Sequence, residues 1–255
     1  MVVGVPAEEL QRRVLEEWAP ALKMESKVEE LTERELAAFE RAFERLLVFQ
    51  FPEREVRDIF VRHKGEILFG CMIAKAQFDA DFDGESPDSG KFGMTVTRAC
   101  YLGVGNDWED ASPFSTGSPQ NWIHSGTSLL GGTAGNDIKI GKNQVTVVVG
   151  VGSYHPSPKI ESFAFWVDGN PKPTVTVGYL WKVSDLHVKE LDKAIILYED
   201  RTFLAKVFIS AALGTSVEDY PYLLGVSFLP ESILRADKQD AATIASATNK
   251  VVLVT

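Results

Sequence analysis

The sequence predicts a mainly β protein, an antiparallel β-sandwich of jelly-roll type carrying a helical N-terminal arm, and three observations lead there. Apolar residues recur at helical spacing as far as Leu47; the period changes to two after Pro52; and the later apolar runs are separated by Gly, Asp, Asn and Pro rather than by long helices. A parallel α/β sheet is excluded, because each parallel pair needs a crossover of a dozen residues or more. The predicted division is a helical arm over residues 1–52 and a sandwich over residues 53–255.

In the arm, Leu10, Val14, Leu15 and Trp18 fall on one helical face between Pro6 and Pro20. After a polar connector from Lys23 to Glu30, Thr32 caps a second helix and Glu35 completes a capping box. Leu36, Phe39, Phe43, Leu46 and Leu47 form its apolar stripe, and Pro52 ends it.

The body offers candidate strands at Val56–Arg62, Glu66–Gln77, Phe92–Leu102, Asp137–Lys139, Gln144–Gly150, Lys159–Val167, Pro173–Val183, Val188–Tyr198, Thr202–Ser210, Tyr222–Phe228 and Val251–Val254. The clearest hairpin turns at Asp168-Gly169-Asn170-Pro171, where Gly and Asn are expected to supply positive φ. A second is expected through Glu199-Asp200-Arg201. The stretch from Asn106 to Gly135 reads as one long loop. Its Trp108, Phe114 and Trp122 imply that it packs onto something, such as another subunit. Lys238 to Asn249 reads as a loop or short helix, and no internal repeat is found.

Charge narrows the function. Lys and Arg number 26 against 36 Asp and Glu, a net charge of −10 with no basic run beyond Arg12-Arg13 and Arg62-His63-Lys64, so sequence-specific nucleic-acid binding is not expected. Cys71 and Cys100 lack Cys-x-x-Cys spacing and sit in apolar runs, which reads as buried free thiols in reducing surroundings. No basic leader precedes an apolar core at the N-terminus, so no signal peptide is expected, and no apolar stretch approaches the ~20 residues that span a bilayer.

Motifs for chemistry are sparse. Asp79-Ala80-Asp81-Phe82-Asp83-Gly84 matches the opening of a calcium loop, alternate carboxylates supplying hard oxygen ligands and Gly the sharp turn. Gly90 stands where a bidentate Glu belongs, so Glu85 or Asp88, the nearest acid, is the added candidate ligand beside Asp79, Asp81 and Asp83; the plainer alternative is a solvated acidic turn. Asp107, Glu109 and Asp110 around Trp108 are a weaker cluster that a glycosidase would need to bury. His63, His124, His155 and His187 share no metal or triad spacing. Gly103-Val104-Gly105 and Gly150-Val151-Gly152 lack the third glycine of a nucleotide fingerprint and read as strand-end turns. An enzyme is not expected, and no cofactor is required beyond a candidate calcium ion. The stripe residues Leu10, Val14, Trp18, Leu36, Phe39 and Phe43 either cover their own sandwich or, with Trp108, Phe114 and Trp122, form contacts between subunits.

The stretches Pro158-Lys159-Ile160 through Val167-Asp168-Gly169-Asn170-Pro171-Lys172-Pro173, Leu186 to Leu197, and Gly225-Val226-Ser227-Phe228 resemble β-rich structural proteins of tailed phages and other icosahedral viruses. The resemblance covers roughly the last 100 residues and is one of style, with no invariant signature. It implies self-association without cofactor chemistry, as a capsid, decoration or tail-type subunit. A tailed-phage major capsid protein needs a long spine helix inside its body, and none is predicted after Pro52, which favours a jelly roll. The expectation is therefore a structural, self-assembling virion protein that contacts copies of itself and other virion proteins, assembled in the host cytoplasm, with no membrane partner. The rival expectation is a calcium-assisted carbohydrate-binding sandwich in which Trp108 and Trp122 stack on sugar rings. A glycoside-acting enzyme, resting on the acidic cluster, comes third.

Overall fold

The computed structural model of the protein describes residues 5–17, 28–85, 87–97, 120–123, 138–153, 160–183, 186–209 and 221–234. The chain divides into two compact units: Met1–Val96 with Asn143–Val145 and Val226–Thr255, and Thr97–Lys142 with Thr146–Gly225.

The first unit is built on helices α1 (Ala7–Glu17), α2 (Glu33–Gln50), α3 (Arg54–Arg62) and α4 (Lys64–Phe78), followed by strand β1 (Phe92–Val96). The predicted capping box is present: Thr32 Oγ1 accepts from Glu35 N, the Glu35 carboxylate accepts from Thr32 N, and α2 ends before Pro52. Leu36, Phe39, Phe43, Leu46 and Leu47 are all buried.

Two predicted strands prove to be helices. Val56–Arg62 is α3, whose buried Val56, Ile59 and Phe60 follow the i, i+3, i+4 spacing of one helical face. Glu66–Gln77 lies within α4, which is buried from Ile67 to Lys75 on every side and so carries no amphipathic period. At 15 residues it is too long for a typical strand. Helix therefore continues well past Pro52, which removes the argument that the body lacks a helix. The stop between α3 and α4 falls at His63, whose N–H donates to the Ile59 carbonyl, and α4 ends on Asp79 in the left-handed region at φ 50. An aromatic cluster fills the unit: Phe39 stacks on Phe43, and Phe82, Phe92 and Phe228 meet edge to face.

The second unit contains β2 (Gln120–Ile123), β3 (Ile138–Lys139), most of β4 (Val145–Ser153), β5 (Ile160–Val167), β6 (Asn170–Pro171), β7 (Val175–Thr176), helix α5 (Gly178–Val183), β8 (Val188–Leu197), β9 (Thr202–Ile209) and the first half of β10 (Pro221–Pro230). The second half of β10 pairs antiparallel with β1, from Phe92 opposite Pro230 to Val96 opposite Val226. The hydrogen-bonded orders are β1-β10-β4-β8 and β2-β9-β5-β6, with β3 also on β9 and β7 on β5.

Read along the chain, the first strand pairs with the last, β2 with β9, β4 with β8, and β5 with β6. That is one long hairpin rolled over so that β10 lies beside β4 and β9 beside β5, the topology of a jelly roll. In the second unit Val148, Val151, Leu191, Ile195, Leu197 and Leu223 of one sheet share a single apolar core with Ile160, Phe163, Phe165, Phe203, Ala205 and Val207 of the other, which makes it a sandwich.

Several local expectations need correction. The turn after β5 is held by Asp168 (φ 52) and Gly169 (φ 71), so Asp168 rather than Asn170 takes the second positive φ. Pro173–Val183 is split into the short strand β7 and helix α5. Glu199-Asp200-Arg201 does not close a hairpin, since β8 and β9 belong to different sheets. A strand, β2, lies inside the stretch read as one long loop. Gly150 and Gly152 sit within β4 rather than at a turn: a Cβ on Gly150 would lie 2.8 Å from the Lys189 carbonyl oxygen, and one on Gly152 would overlap the Tyr222 ring. Val251–Val254 and Gly103–Gly105 lie outside the described residues.

Candidate functional site

The acidic turn between α4 and β1 takes its shape from the backbone. Asp83 N donates to the Phe92 carbonyl and Phe92 N to the Asp81 carbonyl, and Gly84 (φ 83) and Gly90 (φ 76) make the reversals. Asp79 is exposed on the helix cap, and its carboxylate is not gathered with the others. Lys91 Nζ lies 3.2 Å from Asp83 Oδ2 and 3.7 Å from Asp88 Oδ2, so a lysine ammonium stands between the two carboxylates that a cation would draw together. Among the described residues no three Asp, Glu, His or Cys side chains converge as a metal set. Lys91 thus neutralises part of the turn's own acidic charge.

The densest polar cluster lies elsewhere in the first unit. Glu35 and Lys75, 3% and 7% exposed, form an ion pair at 2.9 Å. Glu35 Oε2 also accepts from Thr32 N and Thr32 Oγ1, each at 2.8 Å, while Oε1 accepts from Phe82 N at 3.0 Å. Lys75 Nζ donates in addition to the Glu30 carbonyl at 2.9 Å. Burial pushes the Glu35 carboxyl up, but the hydrogen bonds from Lys75, Thr32 and Phe82 outweigh it and hold the group below its ordinary value. A carboxylate with both oxygens engaged by structural donors is poorly placed to take a proton from a substrate, so the cluster ties segments together. Nearby Cys71 is a fully buried free cysteine whose thiol burial pushes well up, which makes it inert as a nucleophile. Sequence spacing hides this cluster, because Glu35 and Lys75 stand 40 residues apart.

The stripe residues are placed inside their own unit. Val14, Leu36, Phe39 and Phe43 are each at most 5% exposed, and α1 packs on α2 and α4. Within the chain they are core side chains, buried where α1, α2 and α4 meet. Leu10 is half-buried. Trp18, Trp108 and Phe114 lie outside the described residues, as do Cys100, Asp107, Glu109, Asp110, His124 and His155; Trp122 is described only as part of the β2 backbone.

The apolar side chains that do reach solvent are others. Val48 and Phe49, at the end of α2, are 65% and 69% exposed, and Tyr179 and Leu180 on α5 are 77% and 46% exposed. The signal was in the sequence: Leu46-Leu47-Val48-Phe49 and Tyr179-Leu180-Trp181 are runs wider than one helical face, so each must present part of itself to water. On α5 the inward member is Trp181, which packs edge-on against Phe163. Two of the sheet edges are guarded. Opposite β4, strand β8 bulges between Glu190 and Ile195, where Asp192 and Lys193 are exposed, and Pro171 and Pro173 lie along the β6–β7 edge.

Neither a protein-family model nor a curated protein matches this chain. Among solved structures it is similar to the insecticidal delta-endotoxin Cry8Ea1 of Bacillus thuringiensis, at 12% identity over 58% of this chain and 25% of that one, with a TM-score of 0.24. It is also similar to a family 35 carbohydrate binding module of Clostridium thermocellum, at 11% identity over 54% of this chain and 92% of that one, with a TM-score of 0.19. The chain thus spans a quarter of the length of the endotoxin it matches. Likenesses this distant carry no functional argument.

Proposed function

We propose that the protein is a structural virion subunit that works by self-association. The observation that carries this reading is the rolled strand order, β1-β10-β4-β8 against β2-β9-β5-β6, because jelly rolls of this kind serve as capsid subunits. Two further features favour it. The β8 edge is blunted by a bulge and charges and the β6–β7 edge by prolines, so contacts between copies at these edges would run through side chains rather than by adding strands. The exposed apolar pairs Val48–Phe49 and Tyr179–Leu180 supply such side chains.

The test is the mass distribution of the purified full-length protein by light scattering, beside a Phe49→Ser, Tyr179→Ser double variant. The reading expects closed or tubular particles from the wild type and smaller species from the variant. A wild type that stays monomeric at high concentration overturns it. Carbohydrate binding, the rival, shares the fold class, since lectin domains also use jelly rolls. Its calcium element is weakened by Lys91, which lies against Asp83 and Asp88. Calcium that raises the melting temperature would restore it.

A further inference from the structure

We propose that Glu35 is an acid-sensitive latch that holds helix α1 and residues 28–31 onto the rest of the first unit at neutral pH and lets them go on acidification.

The geometry is that of a hub. A single carboxylate receives donors from three places: Lys75 in the last turn of α4, Thr32 at the start of α2, and the Phe82 amide in the turn before β1. Lys75, drawn in by that carboxylate, holds the connector through the Glu30 carbonyl. The next connector residue carries the hold to α1: the Gln11 side-chain amide donates to the Leu31 carbonyl at 3.3 Å and accepts from Leu31 N at 3.1 Å, with both groups buried. Glu29 N donates to the Met72 carbonyl at 3.3 Å, which adds one backbone tie.

The charged and titratable groups that bear on Glu35 are few. From α4 they are Lys75 and the neutral thiol of Cys71; from the connector, Glu29, whose Oε1 lies 3.8 Å from Lys75 Nζ. In the turn before β1, Asp81 and Asp83 flank Phe82 in sequence, and Asp83 is paired with Lys91. From α1 comes the uncharged Gln11. Glu29 also pairs with Lys75, but its side chain is 55% exposed, so solvent screens it and it replaces only part of what the buried Glu35 supplies. Protonating Glu35 therefore leaves the Lys75 ammonium without its buried partner and turns one acceptor oxygen into a donor that faces other donors. Lys75 relieves this by moving to water, which withdraws its hold on Glu30.

The direction with pH follows from linkage. The folded state keeps this carboxyl below its ordinary value of 4.5, so the latch contributes its full stability above that value and loses it as pH falls through the lower, folded one. The loss falls in the first unit, where Glu35, Lys75 and the segments they tie together all lie.

Hydrogen exchange of the full-length chain across a pH series, corrected for intrinsic exchange and read segment by segment, tests the latch. As pH falls below the step, protection of α1 and residues 28–36 should drop by about tenfold per pH unit while β5 and β9 keep theirs. Lys75→Gln should move the step to higher pH by about one unit or more, and the milder Thr32→Ala should move it the same way. Glu35→Gln should abolish it. A step that opens α1, β5 and β9 together overturns the proposal on the wild type alone. So does an unchanged midpoint in Thr32→Ala, which retains the ion pair and folds even if the charge variants do not.

Discussion

The two units close their cores by opposite means. The first buries the Glu35–Lys75 ion pair; in the second, aliphatic and aromatic side chains of both sheets form one cluster, and the buried polar side chains among the described residues are the hydroxyls of Thr97, Thr146 and Ser153 and the imidazole of His187. Helices with apolar stripes can rotate and slide against each other at little cost, and few rotations of α2 against α4 bring Glu35 to Lys75. The buried pair costs desolvation and in return selects one packing. A sandwich needs no such device. Its register is set by strand alternation, since a slip of one residue would turn Phe163, Phe165 and Val167 out to solvent.

Substitutions test this contrast. The largest loss should come from Phe163→Ala in the second unit, a fully buried ring, at about 3–5 kcal/mol by denaturant unfolding. A loss below about 1 kcal/mol would mean that the apolar cluster is not what holds the sandwich. In the first unit, Glu35→Ala should cost about 3–5 kcal/mol because it strands Lys75. The double change Glu35→Leu, Lys75→Met should recover most of that loss. Equal losses in the single and double variants would show that the pair contributes stability rather than selecting a packing. Gly152→Val drives a side chain into Tyr222 and should cost about 1–3 kcal/mol, with the loss appearing in the protection of β4. Smallest is Lys91→Ala in the acidic turn, at no more than about 1 kcal/mol and diminishing with added salt.

The legible and illegible parts of the sequence divide along the same line. The capping box, the stop at Pro52, the β5 turn and most strands of the sandwich are local patterns, and each appears where those patterns predict. What failed were inferences that depend on the rest of the chain. Helix α4 is buried all round, so it loses the amphipathic period that would mark it as a helix. Strands β8 and β9 are joined by a tight turn yet part to different sheets, because pairing in a rolled hairpin is decided by distant strands. The candidate site suffered similarly. The aspartate spacing of the acidic turn displays its carboxylates but not the lysine that approaches them, and the stripe on α2 displays an apolar face but not the α1 and α4 helices that complete its unit.

The pairing of β1 with the end of β10 also has a consequence for the order of events during synthesis. Helices α1 to α4 are complete, and can meet each other, long before the ribosome has made Val226–Pro230, yet β1 finds its ladder partner only in that late segment. Until then the backbone of β1 lacks the ladder partner it has in the finished protein. A growing chain of this kind is most exposed to mispairing with its neighbours just before its last described strand appears, so crowding of nascent copies should affect its yield more than the stability of the finished fold would suggest.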